Sequence, residues 1–280
     1  MTCRRDFLKT IGAAGLAGAG LAATGCGAAS AARRLDRIGT QLYTVRSSMQ
    51  DNVERTLDRV AQIGYDEVEF AGYFGRSAQQ IRRVLDDTGL SAPATHMPLE
   101  PLENEWEATV DFAAQVGHQY IVVAWIAPAN RTSLDDYRSM ADRFNRVGER
   151  AKAAGLTFGY HNHDFEFEPL EGRMPWAVLM EGTDPALVKL ELDLYWITKA
   201  GGDPFKTFRE HPGRFPLVHV KDMAADGSMA DVGAGTLDFA ALFAHSDQAG
   251  IRHYFVEHDN PADPFASLAA SYRHLHALEF

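Results

Sequence analysis

Cysteine is nearly missing from this 280-residue chain: there are two, Cys3 and Cys26, both in its first tenth. Everything after them therefore lacks disulfides and thiolate ligands for zinc or an iron–sulfur cluster. Positive charge is also scarce, with 27 basic residues against 38 acidic ones and a formal net charge of −11. An acidic surface repels phosphate backbones, so a nucleic-acid partner is not expected. A nucleotide-binding fingerprint is absent too. No Gly-x-Gly-x-x-Gly opens a helix after the first strand, and Gly233-Ala234-Gly235 leads into Thr236-Leu237-Asp238 with no lysine to hold a phosphate. Histidine, by contrast, is present eleven times, so any metal chemistry here would use nitrogen and oxygen ligands. Apolar residues at 46% and charged residues at 23% are the proportions of a folded globular protein.

Residues 1–32 differ from the rest. Arg4-Arg5-Asp6-Phe7-Leu8-Lys9 is a twin-arginine pattern, and no charge follows from Thr10 to Ala32. That stretch could span a bilayer by length, but it is mostly Ala and Gly with Ile11, Leu16 and Leu21 as its large aliphatic residues. Such residues contribute little transfer free energy, which argues for a Tat export signal over a membrane anchor. Ala23-Thr24-Gly25-Cys26 resembles a lipobox, with Ala where leucine is usual. The expectation is a periplasmic protein, lipid-anchored at Cys26 and otherwise without membrane contact, with plain cleavage near Ala29–Ala32 as the alternative. Residues 33–280 form the folded domain.

From Arg37 onward an amphipathic helix repeatedly ends at a glycine and a β-rich run follows. The glycines are Gly64, Gly89, Gly117, Gly155 and Gly250, each a residue type that accepts the left-handed conformation ending a helix. The runs they introduce are Tyr65–Phe70, Leu90–Met97, His118–Trp125, Leu156–His163 and Ile251–His258. Ile38–Val45, Val188–Leu194 and Phe215–Val220 bring the strands to eight. Helical patterns lie at Val53–Ile63, Ala78–Asp87, Trp106–Val116, Leu134–Ala154, Phe205–Glu210, Phe239–Ala249 and Pro264–Ala277. Runs such as Tyr120–Trp125 are continuously apolar, as strands buried on both faces require. The pattern predicts an α/β fold, a parallel eight-stranded (β/α)8 TIM barrel, with a doubly wound sheet as the alternative.

In such a barrel the chemistry belongs at the C-terminal strand ends. Those ends carry Gln41, Glu69, His96, Trp125, His161-Asn162-His163 with Glu166 beyond, Asp193, His219 with Lys221, and Glu257. Alternation puts Leu217, His219 and Lys221 on one face of the seventh strand, and Glu257 with Phe255 on one face of the eighth. A strand-end Asp is often only the cap of the next helix. Co-location on four successive strands nevertheless points to a divalent-cation site of Glu166, Asp193, His219 and Glu257. Glu166 is preferred because a third carboxylate offsets the cation's charge. His161 is the alternative, since Glu166 is out of phase with His161 and His163.

The motifs Thr40–Arg46, Tyr160–Phe167, Leu192–Trp196, His219–Asp222 and Val256–Asp259 resemble the sugar phosphate isomerase/epimerase family of the xylose-isomerase-like TIM barrels over Arg37–Phe280. The resemblance implies a bound Mn²⁺, Mg²⁺, Co²⁺ or Zn²⁺ held by a Glu, Asp, His, Glu set, which supports Asp193, His219 and Glu257. It also implies a carbohydrate substrate and an isomerase or epimerase. Glu166 and Glu257 would exchange the proton next to a carbonyl through an enediolate. His163 and Lys221 would bind substrate oxygens, while Gln41, Glu69, His96, His161, Trp125 and Trp196 shape the site. Two departures matter: His161 stands where many members have Glu, and Trp196 where many have His. The Tyr-His-x-His run also resembles inosose dehydratases, so a metal-dependent lyase or hydratase on a keto sugar is the alternative. A non-catalytic sugar-binding lipoprotein is the third reading.

Overall fold

The structure, a computed structural model, describes residues 32–280. The expected export signal and the Cys26 anchor lie outside the described residues. Seven parallel strands run in order around a barrel: β1 (Gly39–Gln41), β2 (Glu67–Phe70), β3 (Ser91–His96), β4 (Tyr120–Val123), β5 (Thr157–His161), β6 (Val188–Asp193) and β7 (Leu217–Val220). A short antiparallel hairpin, β8 (Asp222–Met223) with β9 (Met229–Ala230), follows. Strand β10 (His253–Val256) then pairs with both β7 and β1 and closes the barrel. The eight-stranded parallel barrel is the fold the repeating pattern predicts.

Strand alternation divides the interior in two. One face of the strands packs against the surrounding helices and forms the large core, with Val68, Phe70, Phe158, Tyr160, Leu190, Leu192, Val218 and Val220 among its members. The opposite face fills the barrel with Ala94, Tyr120, Val122, Leu217 and Phe255. Each such large side chain contributes about 1.5–3 kcal/mol on burial. Filling is tight: a Cβ on Gly39 would come within 2.5 Å of the Phe255 ring, so the first strand carries no side chain there.

All five punctuating glycines have positive φ, from 74° at Gly89 to 120° at Gly64, as expected of helix stops. Other boundaries differ from expectation. The first strand ends at Gln41 instead of Val45, because Leu42, Val45 and Met49 are spaced for a helix and are buried in a 3-10 turn continuing into helix Arg46–Asp51. Helices Leu99–Asn104, Pro175–Gly182 and Leu194–Lys199 carry too few turns to register as periodic patterns. The expected Phe239–Ala249 helix breaks into Phe239–Phe243 and Ser246–Ala249. Among the described residues no helix is long and apolar enough to cross a membrane.

His118, entering β4, serves the fold and not the site. Its Nδ1 lies 2.7 Å from the Ala92 carbonyl and its Nε2 2.8 Å from the Tyr73 hydroxyl. Burial lowers its pKa to about 4, against about 6.5 in an unfolded chain. The unfolded state therefore binds the extra proton first, and stability is lost as pH falls from about 6.5 to about 4, by roughly 3 kcal/mol. Urea unfolding at several pH values should show this loss in the wild type and a shallower dependence in His118→Gln; parallel curves would refute it.

Candidate metal and active site

Inward-facing positions near the C-terminal strand ends are polar, and they come together in two layers. The upper group is His161 on β5, Asp193 on β6, His219 on β7 and Glu257 just after β10, all buried, with ligand atoms within 4.8 Å of one another. The lower group is Glu69 on β2, His96 on β3, Glu191 on β6 and His219 again. His219 belongs to both because its two nitrogens point to opposite layers.

Asp193 divides its carboxylate between two tasks. Oδ1 accepts from the Trp196 backbone N–H at 2.8 Å and caps helix Leu194–Lys199. Oδ2 lies 3.2 Å from His161 Nε2 and 3.0 Å from Lys221 Nζ. Asn162 Oδ1 accepts from the Asp193 backbone N–H at 3.0 Å and fixes the strand end. The capping role and the site role of a strand-end aspartate thus coexist in one residue.

Lys221, only 2% exposed, is the positive centre among these carboxylates. Its Nζ lies 3.0 Å from Asp193, 2.9 Å from Glu257 and 2.9 Å from Asp259. Burial works against its charge, but the three carboxylates outweigh that and raise its pKa well above the ordinary value. Burial likewise works against Asp193 and Glu257 as anions, yet Lys221 holds Asp193 low, and Lys221 with His219 holds Glu257 well below the usual range. In the lower layer burial and then the charge on Glu191 push Glu69 up to about 7.

The donor chemistry of the upper group fits a divalent cation. His219 Nδ1 and Glu257 Oε2 are 2.7 Å apart, with no aligned hydrogen bond between them, and the cation at that oxygen is Lys221 Nζ at 2.9 Å. Ligand atoms converging this closely on one point are placed as ligands of one ion are. Two carboxylates and two imidazoles form an oxygen/nitrogen set suited to Zn²⁺, Mn²⁺ or Co²⁺.

Glu166, expected as the strand-five ligand, is not in either group. Its carboxylate is fully buried beside the barrel wall, accepting from the Tyr160 hydroxyl and from the His163 backbone N–H at 2.9 Å. Burial raises its pKa to about 7. The strand ends at His161, and the residues beyond turn into the 3-10 helix Phe165–Phe167, which carries Glu166 to the outer side. His161 occupies the strand-five position instead, as its parity allowed. The expected Glu166–Glu257 pair facing each other across a substrate is therefore not formed.

Above the upper group opens a cavity of about 310 Å³, lined by Tyr43, His96, Ala124, Trp125, His161, His163, Lys221, Glu257 and Asp259. His96, Trp125, His161, His163, Lys221 and Glu257 are among the residues expected at the site. Gln41 and Glu69 are fully buried below it. Trp196 packs behind it, 5.6 Å from His163 and 5.6 Å from Lys221 Nζ, without joining the lining. His163 is kept neutral, with a pKa lowered to about 2 by burial and by His161 and Lys221, and its Nδ1 is buried without a partner. Trp125 stays 52% exposed at the rim and Tyr43 42%.

Sequence reasoning missed three residues here. Glu191 shares the parity of Asp193 two residues on, so alternation could have found it. Tyr43 and Asp259 stand in motifs that were read, but their entry into the cavity depends on the early end of β1 and the turn after β10. Asp222 only braces the following loop, accepting from the backbone N–H groups of Gly233, Gly235 and Leu237.

Comparison with known proteins places this barrel and its polar mouth in an enzyme-like superfamily. The model of the xylose isomerase-like TIM barrel family matches residues 57–277, and the chain belongs to that family. Inosose dehydratase from Geobacillus thermodenitrificans is 25% identical over 241 residues, covering 72% of this chain and 80% of that protein. Inosose dehydratase from Clostridium beijerinckii is 23% identical over 237 residues, covering 71% and 79%. The crystal structure of a sugar phosphate isomerase/epimerase from Parabacteroides distasonis matches with a TM-score of 0.76 at 26% identity, covering 86% of this chain and 93% of that one.

Proposed function

We propose that this protein is a metal-dependent lyase that removes water, or another β-substituent, from a keto sugar or keto cyclitol. The observation that carries this reading is the cavity wall: His163 lines it with His161 and Glu257, while Glu166, the carboxylate expected to face Glu257, is turned away and engaged with Tyr160 and the His163 backbone N–H. Proton shuttling between two carboxylates, the isomerase reading, loses its partner when Glu166 is engaged with Tyr160. The likeness to inosose dehydratases supports the same direction.

A divalent cation held by His161, Asp193, His219 and Glu257 would polarise the substrate carbonyl as a Lewis acid. The Glu257 carboxylate would accept the proton from the carbon next to that carbonyl. The C–H electron pair becomes a carbon–carbon double bond as the β-oxygen departs with its own bonding pair. Glu257 then returns the proton to the departing oxygen, so that water leaves and the carboxylate is restored, while the neutral His163 at the cavity wall donates a hydrogen bond to that oxygen as it leaves. Lys221 holds Asp193, Glu257 and Asp259 in place and sets the charge of the wall. It is the only Lys or Arg in the cavity lining and is already bound by three carboxylates, which argues against a phosphorylated substrate. Trp125 offers an apolar face for a ring at the rim.

The test is product analysis in D₂O by NMR and mass spectrometry, with metal-loaded protein and a keto-inositol. A product lighter by one water is expected. Deuterium exchange at the α-carbon with no loss of water would replace this reading with isomerisation or epimerisation, and binding without either would leave a sugar-binding protein. His163→Gln should lower turnover by about 10²–10³-fold with metal stoichiometry unchanged.

A further inference from the structure

One nitrogen of His219 faces the cation site; the other is held from below. Both approach a carboxylate oxygen at nearly the same distance, Nδ1 at 2.7 Å from Glu257 Oε2 and Nε2 at 2.8 Å from Glu69 Oε2. Only the lower contact has hydrogen-bond alignment; Nδ1 makes no aligned hydrogen bond, and Glu257 Oε2 is met by Lys221 Nζ at 2.9 Å. With a cation at Nδ1, the aligned contact to Glu69 would keep the proton on Nε2 and leave the Nδ1 lone pair for the ion. Glu191 is the other carboxylate near Nε2, at 3.2 Å, and is bonded more closely to His96 Nε2, at 2.7 Å, while His96 also comes within 3.3 Å of Glu69; the shorter, aligned contact of His219 Nε2 is the one to Glu69.

Glu69 is itself fixed. Gln41 Nε2 donates to the same Glu69 Oε2 at 2.8 Å. The amide cannot be turned over, because Gln41 Oε1 accepts from the Tyr43 backbone N–H at 3.0 Å where the chain enters its first 3-10 turn. We propose that Glu69 is the positioning residue of the metal-holding histidine, and that Gln41 locks Glu69. The relay runs from the Tyr43 backbone through Gln41 and Glu69 to His219 Nε2, and it presents Nδ1 as the ligand atom. This rests on the cation site of the proposed function and assigns two residues, expected to touch substrate, to the metal instead. Carboxylates that orient a ligating imidazole raise its basicity and fix its tautomer, and their loss costs about 10–100-fold in metal affinity.

The experiment titrates Zn²⁺ into the metal-free protein against a chelating indicator, for wild type, Glu69→Gln and Gln41→Leu. It also records the histidine ¹⁵N spectrum of the zinc-loaded wild type. The expected result is one zinc per chain, about 10–100-fold weaker binding in Glu69→Gln and a smaller loss in Gln41→Leu. The His219 signals should show a proton on Nε2 and a ligated Nδ1, a signature that a merely structural role for Glu69 would not require. Unchanged affinity in a folded Glu69→Gln, or zinc on Nε2, would overturn the proposal while leaving the cation site standing. Two zinc ions per chain would overturn it differently, because Glu69, His96, Glu191 and His219 would then be ligands of a second ion. A wild type that binds no zinc would remove the cation site itself.

Discussion

Asp193→Asn should weaken binding of a divalent cation by more than about 100-fold, beyond the range that changes to supporting residues reach, and abolish turnover with it. The substitution isolates ligation from folding. The amide keeps an oxygen that can accept from the Trp196 N–H and cap helix Leu194–Lys199, as Asp193 Oδ1 does at 2.8 Å. It removes the negative charge now at Oδ2, beside His161 and Lys221. Glu166→Gln is the matched control. Its carboxyl faces Tyr160 and the His163 backbone N–H, so the variant should keep the wild-type metal content while His161→Gln loses it. Elemental analysis of the three purified variants reads the outcome directly. Metal retained in Asp193→Asn, or lost in Glu166→Gln with His161→Gln intact, would relocate the site to the ligand set first expected.

Why strand five misled is a matter of two physical arguments that disagreed. Parity along the strand favoured His161; charge balance favoured a third carboxylate at Glu166. The side-chain positions follow parity: His161, and not Glu166, stands with Asp193, His219 and Glu257, because backbone alternation continues up to the end of the strand. Charge balance assumes that a buried carboxylate needs a cation. Glu166 is satisfied by a phenol and a backbone N–H, and a pKa near 7 lets it carry a proton part of the time. The same parity rule, applied one step further down β6, would have added Glu191 beside Asp193. Depth along the barrel axis is what parity cannot give. Gln41 and Glu69 share the inward face with the cavity-lining residues but lie beneath them, because β1 ends at Gln41 and pairs it with Glu69. The barrel itself was legible because glycine stops and apolar strands repeat. The short helices Leu99–Asn104, Pro175–Gly182 and Leu194–Lys199 left no comparable trace.

Lys221→Met should lower stability and raise cation affinity at once. In the metal-free protein the ammonium is the counter-charge of Asp193, Glu257 and Asp259, all within 3.0 Å of it, the first two buried away from water and the third at the cavity wall. Removing one partner of a buried ionic cluster costs about 3–5 kcal/mol. For a domain of this size that corresponds to a fall in Tm on the order of 10 °C. The side chain that replaces it is of similar length, so the loss reports charge more than volume. A divalent cation would meet the same oxygens, Asp193 Oδ2 and Glu257 Oε2, without a positive neighbour at 3.0 and 2.9 Å. Added Zn²⁺ should therefore raise the Tm of Lys221→Met by more than it raises that of the wild type, since a ligand bound only to the folded state stabilises in proportion to the logarithm of its affinity. Thermal unfolding with and without the ion gives both numbers in one experiment. Equal zinc-induced shifts in the two proteins would mean that Lys221 does not compete for the ligand oxygens, and that the ion, if it binds, sits elsewhere in the barrel mouth.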